Sequence, residues 1–369
     1  MADYPRIKLP SDGRFGAGPS KVRDAQVDAV VHSPLGTSHR KAPVREIVRS
    51  IQDGLAQLFH LPSGYEVLLG NGGATALWDA ISFCLVQDRA QAAVIGSFSG
   101  KAAQAVDKAP WLKDADIRRA EPGTMILNEP AEGIDAYLYA HNETSTGATS
   151  PLVRYGGSPM NDAAALTIVD ATSIAGGIDV DPTAVDFYYF SPQKCFGSDG
   201  GLWVAFASPA ALARIERLAA QRWVPDFLNL QLAVENSRKN QTLNTPAIAT
   251  LAMLAEQVAW MNASGGLPTM HARAKASTDA IYAWADAHDY AQPFVADPQY
   301  RSPVVATIDF DSTIDAPALS AELRRQGIVD IDPYRSLGRN QFRISAFPSI
   351  ETSDVLILLE AIEALIESR

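Results

Sequence analysis

The chain has 369 residues, 47% of them apolar and 20% charged, with a formal net charge of −11. This describes an ordinary globular protein with enough length for roughly two to three packed units. The acidic balance, with no Lys/Arg run longer than two residues, excludes an extended nucleic-acid or anionic-membrane surface, so an anionic ligand would need a local basic pocket.

Only two cysteines occur, Cys84 and Cys195, too few for a disulfide framework. The first ten residues, MADYPRIKLP, lack a signal-peptide core, and no stretch approaches 18 apolar residues. A soluble cytoplasmic protein is the expectation. Residues 13–20, GRFGAGPS, superficially resemble a phosphate loop, but Pro19 stands where that motif needs lysine and no strand precedes it. Such a glycine-rich segment can instead pass close to a ligand or cross between domains. A helix is predicted from Pro19 to about Val31. Adjacent donors His39 and Arg40 follow, before a second helix from Pro43 to about Phe59, and suit a carboxylate or phosphate.

Tyr65 to Leu69 reads as a strand leading into Gly70-Asn-Gly-Gly-Ala-Thr75, then a helix from Ala74 to Leu85. Strand, glycine turn and helix make an anion cup, with backbone N–H groups and the Thr75 hydroxyl as donors. The run Ala92–Ile95 is a strand with Phe98 just beyond it. Tyr137–Ala140 is another, ending in the polar cluster His141-Asn-Glu-Thr-Ser-Thr-Gly147. Leu166–Val169 ends on Asp170, Asp186–Phe190 ends in Ser-Pro-Gln-Lys194, and Leu202–Phe206 follows Gly200-Gly201. Short apolar runs bounded by Gly, Pro, Ser and Asp read as buried strands. Six strands alternating with helical or loop segments predict a mostly parallel α/β sheet. Asp170 and Lys194 fall where strands emerge into loops, the ligand-binding edge of such sheets. An amine and a carboxylate so placed are what pyridoxal 5′-phosphate requires: the lysine takes its aldehyde as a Schiff base, and the acid pairs with the ring nitrogen.

Beyond Ser208 the pattern is helical: Ala210–Gln221, an aromatic and amide-rich segment from Trp223 to Asn244, and a long helix opened by Asn244-Thr-Pro246 and running to about Trp260. The last hundred residues read as a smaller α+β unit: helix 271–287, strand Val304–Phe310, helix Pro317–Gln326, strand Gln341–Ala346 and helix Ser353–Ser368. Arg343, in the middle of a strand, needs an acidic partner or an anionic ligand.

The motifs GNGGAT (70–75), HNETSTG (141–147), VDATS (169–173), PQK (192–194) and NTPA (244–247), with SHR (38–40) and FRIS (342–345), occur in an order and spacing that resembles the phosphoserine aminotransferase family. That family lies in the class V subgroup of fold-type I pyridoxal-phosphate enzymes. The resemblance implies a large domain (21–260) with a mostly parallel sheet of the seven-stranded type, a smaller α+β C-terminal domain (261–369), and an N-terminal segment (1–20) joining the small domain. It implies transfer of the amino group of L-glutamate to 3-phosphohydroxypyruvate, giving O-phospho-L-serine and 2-oxoglutarate in serine biosynthesis. The related phosphohydroxythreonine reaction of pyridoxine biosynthesis is left open.

By the same resemblance, Lys194 and Asp170 are the catalytic pair, Thr144 bonds the cofactor and Phe98 stacks on its ring. Ala74, Thr75 and Gln193 hold its phosphate, joined by Asn244 and Thr245 of a partner subunit in a homodimer. Arg343 takes the substrate α-carboxylate, while His39, Arg40 and a partner's Arg335 take the distal phosphate or γ-carboxylate. No metal is implied. Two positions depart from the pattern: Phe98 stands where tryptophan is frequent, and Tyr334 where histidine often precedes the distal arginine. A cysteine desulfurase-like lyase of the same fold would need a late nucleophilic cysteine, and none follows Cys195. A regulatory module would need a basic DNA-binding extension, which is also missing.

Overall fold

A computed structural model describes residues 5–158, 160–161 and 164–368. In chain order its elements are α1 (Asp24–Val31), α2 (Ala42–Leu58), β1 (Glu66–Asn71), α3 (Ala74–Cys84), β2 (Ala90–Val94), α4 (Ser97–Asp107) and β3 (Asp116–Arg119). Next come β4 (Ala136–Ala140), β5 (Asn142–Glu143), β6 (Ala148–Thr149), β7 (Leu166–Asp170), β8 (Phe187–Phe190) and β9 (Leu202–Ala207). The remainder is α5 (Pro209–Gln221), α6 (Leu230–Ser237), α7 (Ile248–Ala263), α8 (Gly266–Asp286), β10 (Ala291–Pro293), β11 (Val305–Phe310), α9 (Ala316–Gln326), β12 (Gln341–Ser345) and α10 (Thr352–Glu367).

Seven strands form the main sheet in the order β1-β9-β8-β7-β4-β2-β3. The pairs β8–β7, β7–β4, β4–β2 and β2–β3 are parallel, whereas β9 runs antiparallel to both neighbours. Every residue of β4, β7, β8 and β9 is buried, and alternation sorts their side chains between two cores. Tyr188 and Phe190 face the layer containing α2 and α7, while Phe187 and Tyr189 face the layer of α3 to α6. A third core joins the β10-β11-β12 sheet to α8, α9 and α10, and Ile7 and Phe15 of the N-terminal segment enter it.

Several boundaries differ from the sequence reading. Strand β3 was not anticipated, because three of its four residues are charged; it survives as the sheet's edge, where only one side must be paired. Helix α1 begins at Asp24, not Pro19, because Ser20 is bonded through its N–H to the Gln193 carbonyl and Arg23 is the extended N-cap. The helix expected to open at Asn244-Thr-Pro246 begins at Ile248, which leaves Asn244 and Thr245 in an irregular segment bonded to Asn71. The segment from Trp223 also contains the unanticipated helix α6. Among the described residues no helix is long and apolar enough to cross a membrane.

Candidate active site

Asp170 is the last residue of β7, on the face that packs against α3. Its carboxylate is 7% exposed and accepts from Trp78 Nε1 at 2.9 Å and from the Thr172 N–H at 3.0 Å. Neither donor is a cation, and burial raises its pKa above the usual carboxylate range. In the sequence Trp78 stands on the apolar face of its helix, with Leu77, Ile81 and Cys84. Only the packing of α3 across the sheet turns its N–H toward Asp170, so spacing held no signal for it.

Lys194 lies four residues beyond β8, the strand paired in parallel with β7. Burial, followed by the nearby Arg343 guanidinium, lowers its pKa to about 8; Cys195, Asp170 and Glu143 act in the opposite sense. Its ammonium donates to the Ala17 carbonyl. Ser20 braces the same residue, donating from Oγ to the Lys194 carbonyl at 2.7 Å. Residues 13–20 thus pass directly over the lysine. Gly18 is at φ +129°, and a Cβ there would overlap the Lys194 ammonium and its stem. The same segment is tied to the second sheet: Phe15 O accepts from the Ser345 N–H and hydroxyl, and Gly13 O accepts from the Val329 N–H. Glycines whose fit to a phosphate loop failed are needed here for close approach.

Around this pair the structure gathers most of the expected site. Thr144 O accepts from Arg343 Nη1 at 3.3 Å. Arg343 has no carboxylate in ion-pair contact among the described residues, and its buried Nε has no partner. Tyr334 lies between two of the named residues, 5.4 Å from the Phe98 ring and 5.3 Å from the Arg343 guanidinium, measured between centres. Phe98 sits in the first turn of α4, not at the end of a strand. The glycine turn before α3 has the expected strand–turn–helix form, and the Ala74 N–H donates to Ser191 Oγ at 2.8 Å. Gln193 presents a buried, unpaired Oε1. Cys195 is buried, forms no disulfide and donates from Sγ to the Ser173 carbonyl, and burial holds its thiol far above the ordinary range, which disqualifies it as a nucleophile at neutral pH.

A second cluster combines His39, Arg40, Asn244 and Thr245. His39 Nδ1 and Thr245 Oγ1 are 3.1 Å apart, and Arg40 donates to Gln241 Oε1 at 3.1 Å and to the Leu243 carbonyl. The buried His39 Nε2 is unpaired. The resemblance assigns Asn244 and Thr245 to a partner's site; in this chain Thr245 lies within hydrogen-bond distance of its own His39. Ser336, on the far side of Arg335 from Tyr334, lies 3.3 Å from Ser97 Oγ through its own Oγ, so both neighbours of Arg335 contact the α4 start of their own chain.

A buried amine of lowered pKa, a buried carboxylate without a cation in contact, and a buried, unpaired Nε donor on Arg343 fit pyridoxal 5′-phosphate and an anionic substrate. Comparison with known proteins agrees. The family model for class-V aminotransferases matches residues 24–329. Phosphoserine aminotransferase from Nocardioides sp. is 52% identical over 367 residues, covering 98% of each chain. The Corynebacterium glutamicum phosphoserine aminotransferase is also 52% identical, covering 100% of this chain and 98% of its own. Among solved structures, phosphoserine aminotransferase from Cytophaga hutchinsonii superposes with a TM-score of 0.86 at 23% identity, over 95% of this chain and 99% of that one. The pyridoxal-phosphate-bound enzyme from Trichomonas vaginalis gives 0.81 at 19%, over 95% and 99%, which shows a common fold. The chain therefore belongs to the class-V aminotransferases, within the phosphoserine aminotransferase family.

Proposed function

We propose that this protein transfers the amino group of L-glutamate to 3-phosphohydroxypyruvate, producing O-phospho-L-serine and 2-oxoglutarate with pyridoxal 5′-phosphate as cofactor. The observation that carries this reading is the nearness of the Lys194 amine to an Asp170 carboxylate bonded by neutral donors and to an Arg343 that forms no ion pair among the described residues.

Pyridoxal 5′-phosphate, when bound, supplies an aldehyde for the migrating amino group and a ring that draws off the electron pair at the substrate Cα. Asp170, oriented by Trp78 and Thr172, holds the proton on the ring nitrogen. Arg343 binds the substrate α-carboxylate through a two-pronged contact, with its buried Nε free of acceptors among the described residues for the task. With a pKa near 8, Lys194 carries an appreciable neutral fraction at working pH, so its Nζ can take the Cα proton and deliver it to the cofactor carbon that bears the migrating nitrogen, and carry a proton the other way in the second half of the cycle. Phe98 covers the ring, Thr144 bonds it, and Ala74, Thr75 and Gln193 hold the phosphate.

His39, Arg40, Asn244 and Thr245 form one anion-binding face, and we place it across the interface of a cytoplasmic homodimer, reaching the partner's site. Arg335 completes the distal subsite. An arginine fork there accepts either a phosphate or a γ-carboxylate, as a two-substrate cycle demands.

The test is a pair of assays. Glutamate alone should convert the bound cofactor to its amine form, seen as loss of the absorbance of the lysine-bound aldehyde. Phosphohydroxypyruvate should then outperform unphosphorylated hydroxypyruvate, a preference that Arg40→Ala reduces by roughly ten- to a hundredfold, the size of one lost charge-assisted contact. Equal turnover of the two acceptors would sink the substrate assignment. Mixed dimers of Lys194→Ala and Arg40→Ala chains should regain one working site if Arg40 acts across the interface, and none if it acts within its own chain.

A further inference from the structure

Glu143 is a buried carboxylate to which the reaction above gives no role. It is 0% exposed, and its hydrogen-bond donors are neutral, although the Lys194 and Arg343 cations lie near enough to feel its charge. Oε2 accepts from the Ser99 N–H at 2.9 Å, the Ser99 hydroxyl at 2.8 Å and the Phe98 N–H at 3.1 Å. Oε1 accepts from the Ser145 hydroxyl at 2.6 Å and the Ser145 N–H at 3.2 Å, and shares the Phe98 N–H at 3.2 Å. The remaining first-turn donor of α4, the Ser97 N–H, goes to Ser145 Oγ at 3.0 Å. A carboxylate and a serine from the loop after β4 thus satisfy the exposed end of α4. The space they need exists because position 96 is glycine, whose Cβ would overlap the Glu143 side chain.

Burying a charge that no cation contacts directly is costly unless donors replace its water, and aligned N–H groups at a helix start are a neutral arrangement that does so. Two of those N–H groups belong to Phe98 and Ser99. The neighbouring Thr144 carbonyl holds Arg343, and Tyr334 bridges Phe98 and Arg343. One rigid connection therefore sets the ring that covers the cofactor and the arginine that meets the substrate.

We infer that Glu143 is a positioning residue for the reaction: by capping α4 it fixes the Phe98 ring over the cofactor. The inference rests on the cofactor reading above, so its test has one arm that does not need the cofactor. In Glu143→Gln the amide NH₂ must face a donor that the carboxylate accepted, which loosens the first turn. In the apoprotein, hydrogen exchange at residues 97–99 should accelerate about tenfold or more, while α7 is unchanged. Affinity for added pyridoxal 5′-phosphate should fall by about fivefold or more, with a weaker circular dichroism band from the bound cofactor. In a Phe98→Leu background the same substitution should cost less than about twofold, because the ring it positions is gone.

An undiminished loss of affinity in the Phe98→Leu background, or unchanged exchange at 97–99, would overturn the inference. If Glu143→Gln does not fold, Ser145→Ala removes one donor from Glu143 and the acceptor of the Ser97 N–H, and the same pattern is expected at smaller size. If even the unaltered protein fails to bind the cofactor, the proposed function fails, and the exchange arm still decides the capping role.

Discussion

Replacing Trp78 with phenylalanine isolates one bond in the site. The indole N–H donates to Asp170 Oδ2 at 2.9 Å in a buried setting, and the Thr172 N–H donates to the other carboxylate oxygen at 3.0 Å. A hydrogen bond to a buried charge contributes about 1.5–3 kcal/mol, and the smaller ring adds a packing loss of about 1 kcal/mol that does not depend on pH. The two parts separate by pH. Burial already raises the Asp170 pKa in the folded state, so its ionisation costs stability as pH rises through the carboxylate range. Removing a donor raises that pKa further, and the deficit of Trp78→Phe should therefore grow from acid toward neutral pH. Urea unfolding of the apoprotein at several pH values measures it. In an Asp170→Asn background the bond becomes neutral and the deficit should shrink by about 1–2 kcal/mol. A deficit equal at all pH values, with a coupling below about 0.5 kcal/mol, would refute the claim that Trp78 stabilises a buried anion.

Gly18→Ala places a Cβ against the Lys194 ammonium at a positive φ, so cofactor uptake should fall at least tenfold, with a stability loss of about 1–3 kcal/mol seen by thermal unfolding. Lys194 has a folded pKa of about 8 against an ordinary lysine value of 10.5, so the unfolded chain binds more protons between those values and apoprotein stability from this group rises with pH across that window. Lys194→Met should remove that rise, and denaturation curves at pH 8 and 10 that stay parallel for the two proteins would count against it. His141 is buried against the Tyr188 hydroxyl at 3.1 Å, and burial lowers its pKa to about 4. Its contribution is present above pH 6.5 and is lost as pH falls toward 4; in His141→Asn this segment of the acid-unfolding profile should flatten.

The local signals that fix element type and ligand edge are strong in this chain. Apolar runs such as Leu166–Val169 and Leu202–Phe206 must be buried on both faces, which makes them strands, and the polar motifs at their ends then fall on one side of the sheet. The placement of Asp170 and Lys194 at neighbouring strand ends and the glycine turn before α3 were legible for that reason, whereas the sequence left Arg343 open between an acidic partner and an anionic ligand. Strand β3 was not, because an edge strand tolerates charges that hide its pattern. Nor was the start of α7, where contacts of Asn244 and Thr245 with Asn71 replace the first helical turn that Pro246 would otherwise open.

Sequence alone determined which residue types stand at the strand ends, and hence the chemistry available there, because burial periodicity and turn residues act over a few neighbours. Contacts across large separations were decided only by the tertiary structure. Trp78 meets Asp170, Glu143 caps the helix of Phe98, His39 bonds Thr245, and residues 13–20 lie over Lys194 while tied to the strand of Arg343. Those partners are set by how the helices and the second sheet pack on the first, and no spacing along the chain encodes that geometry.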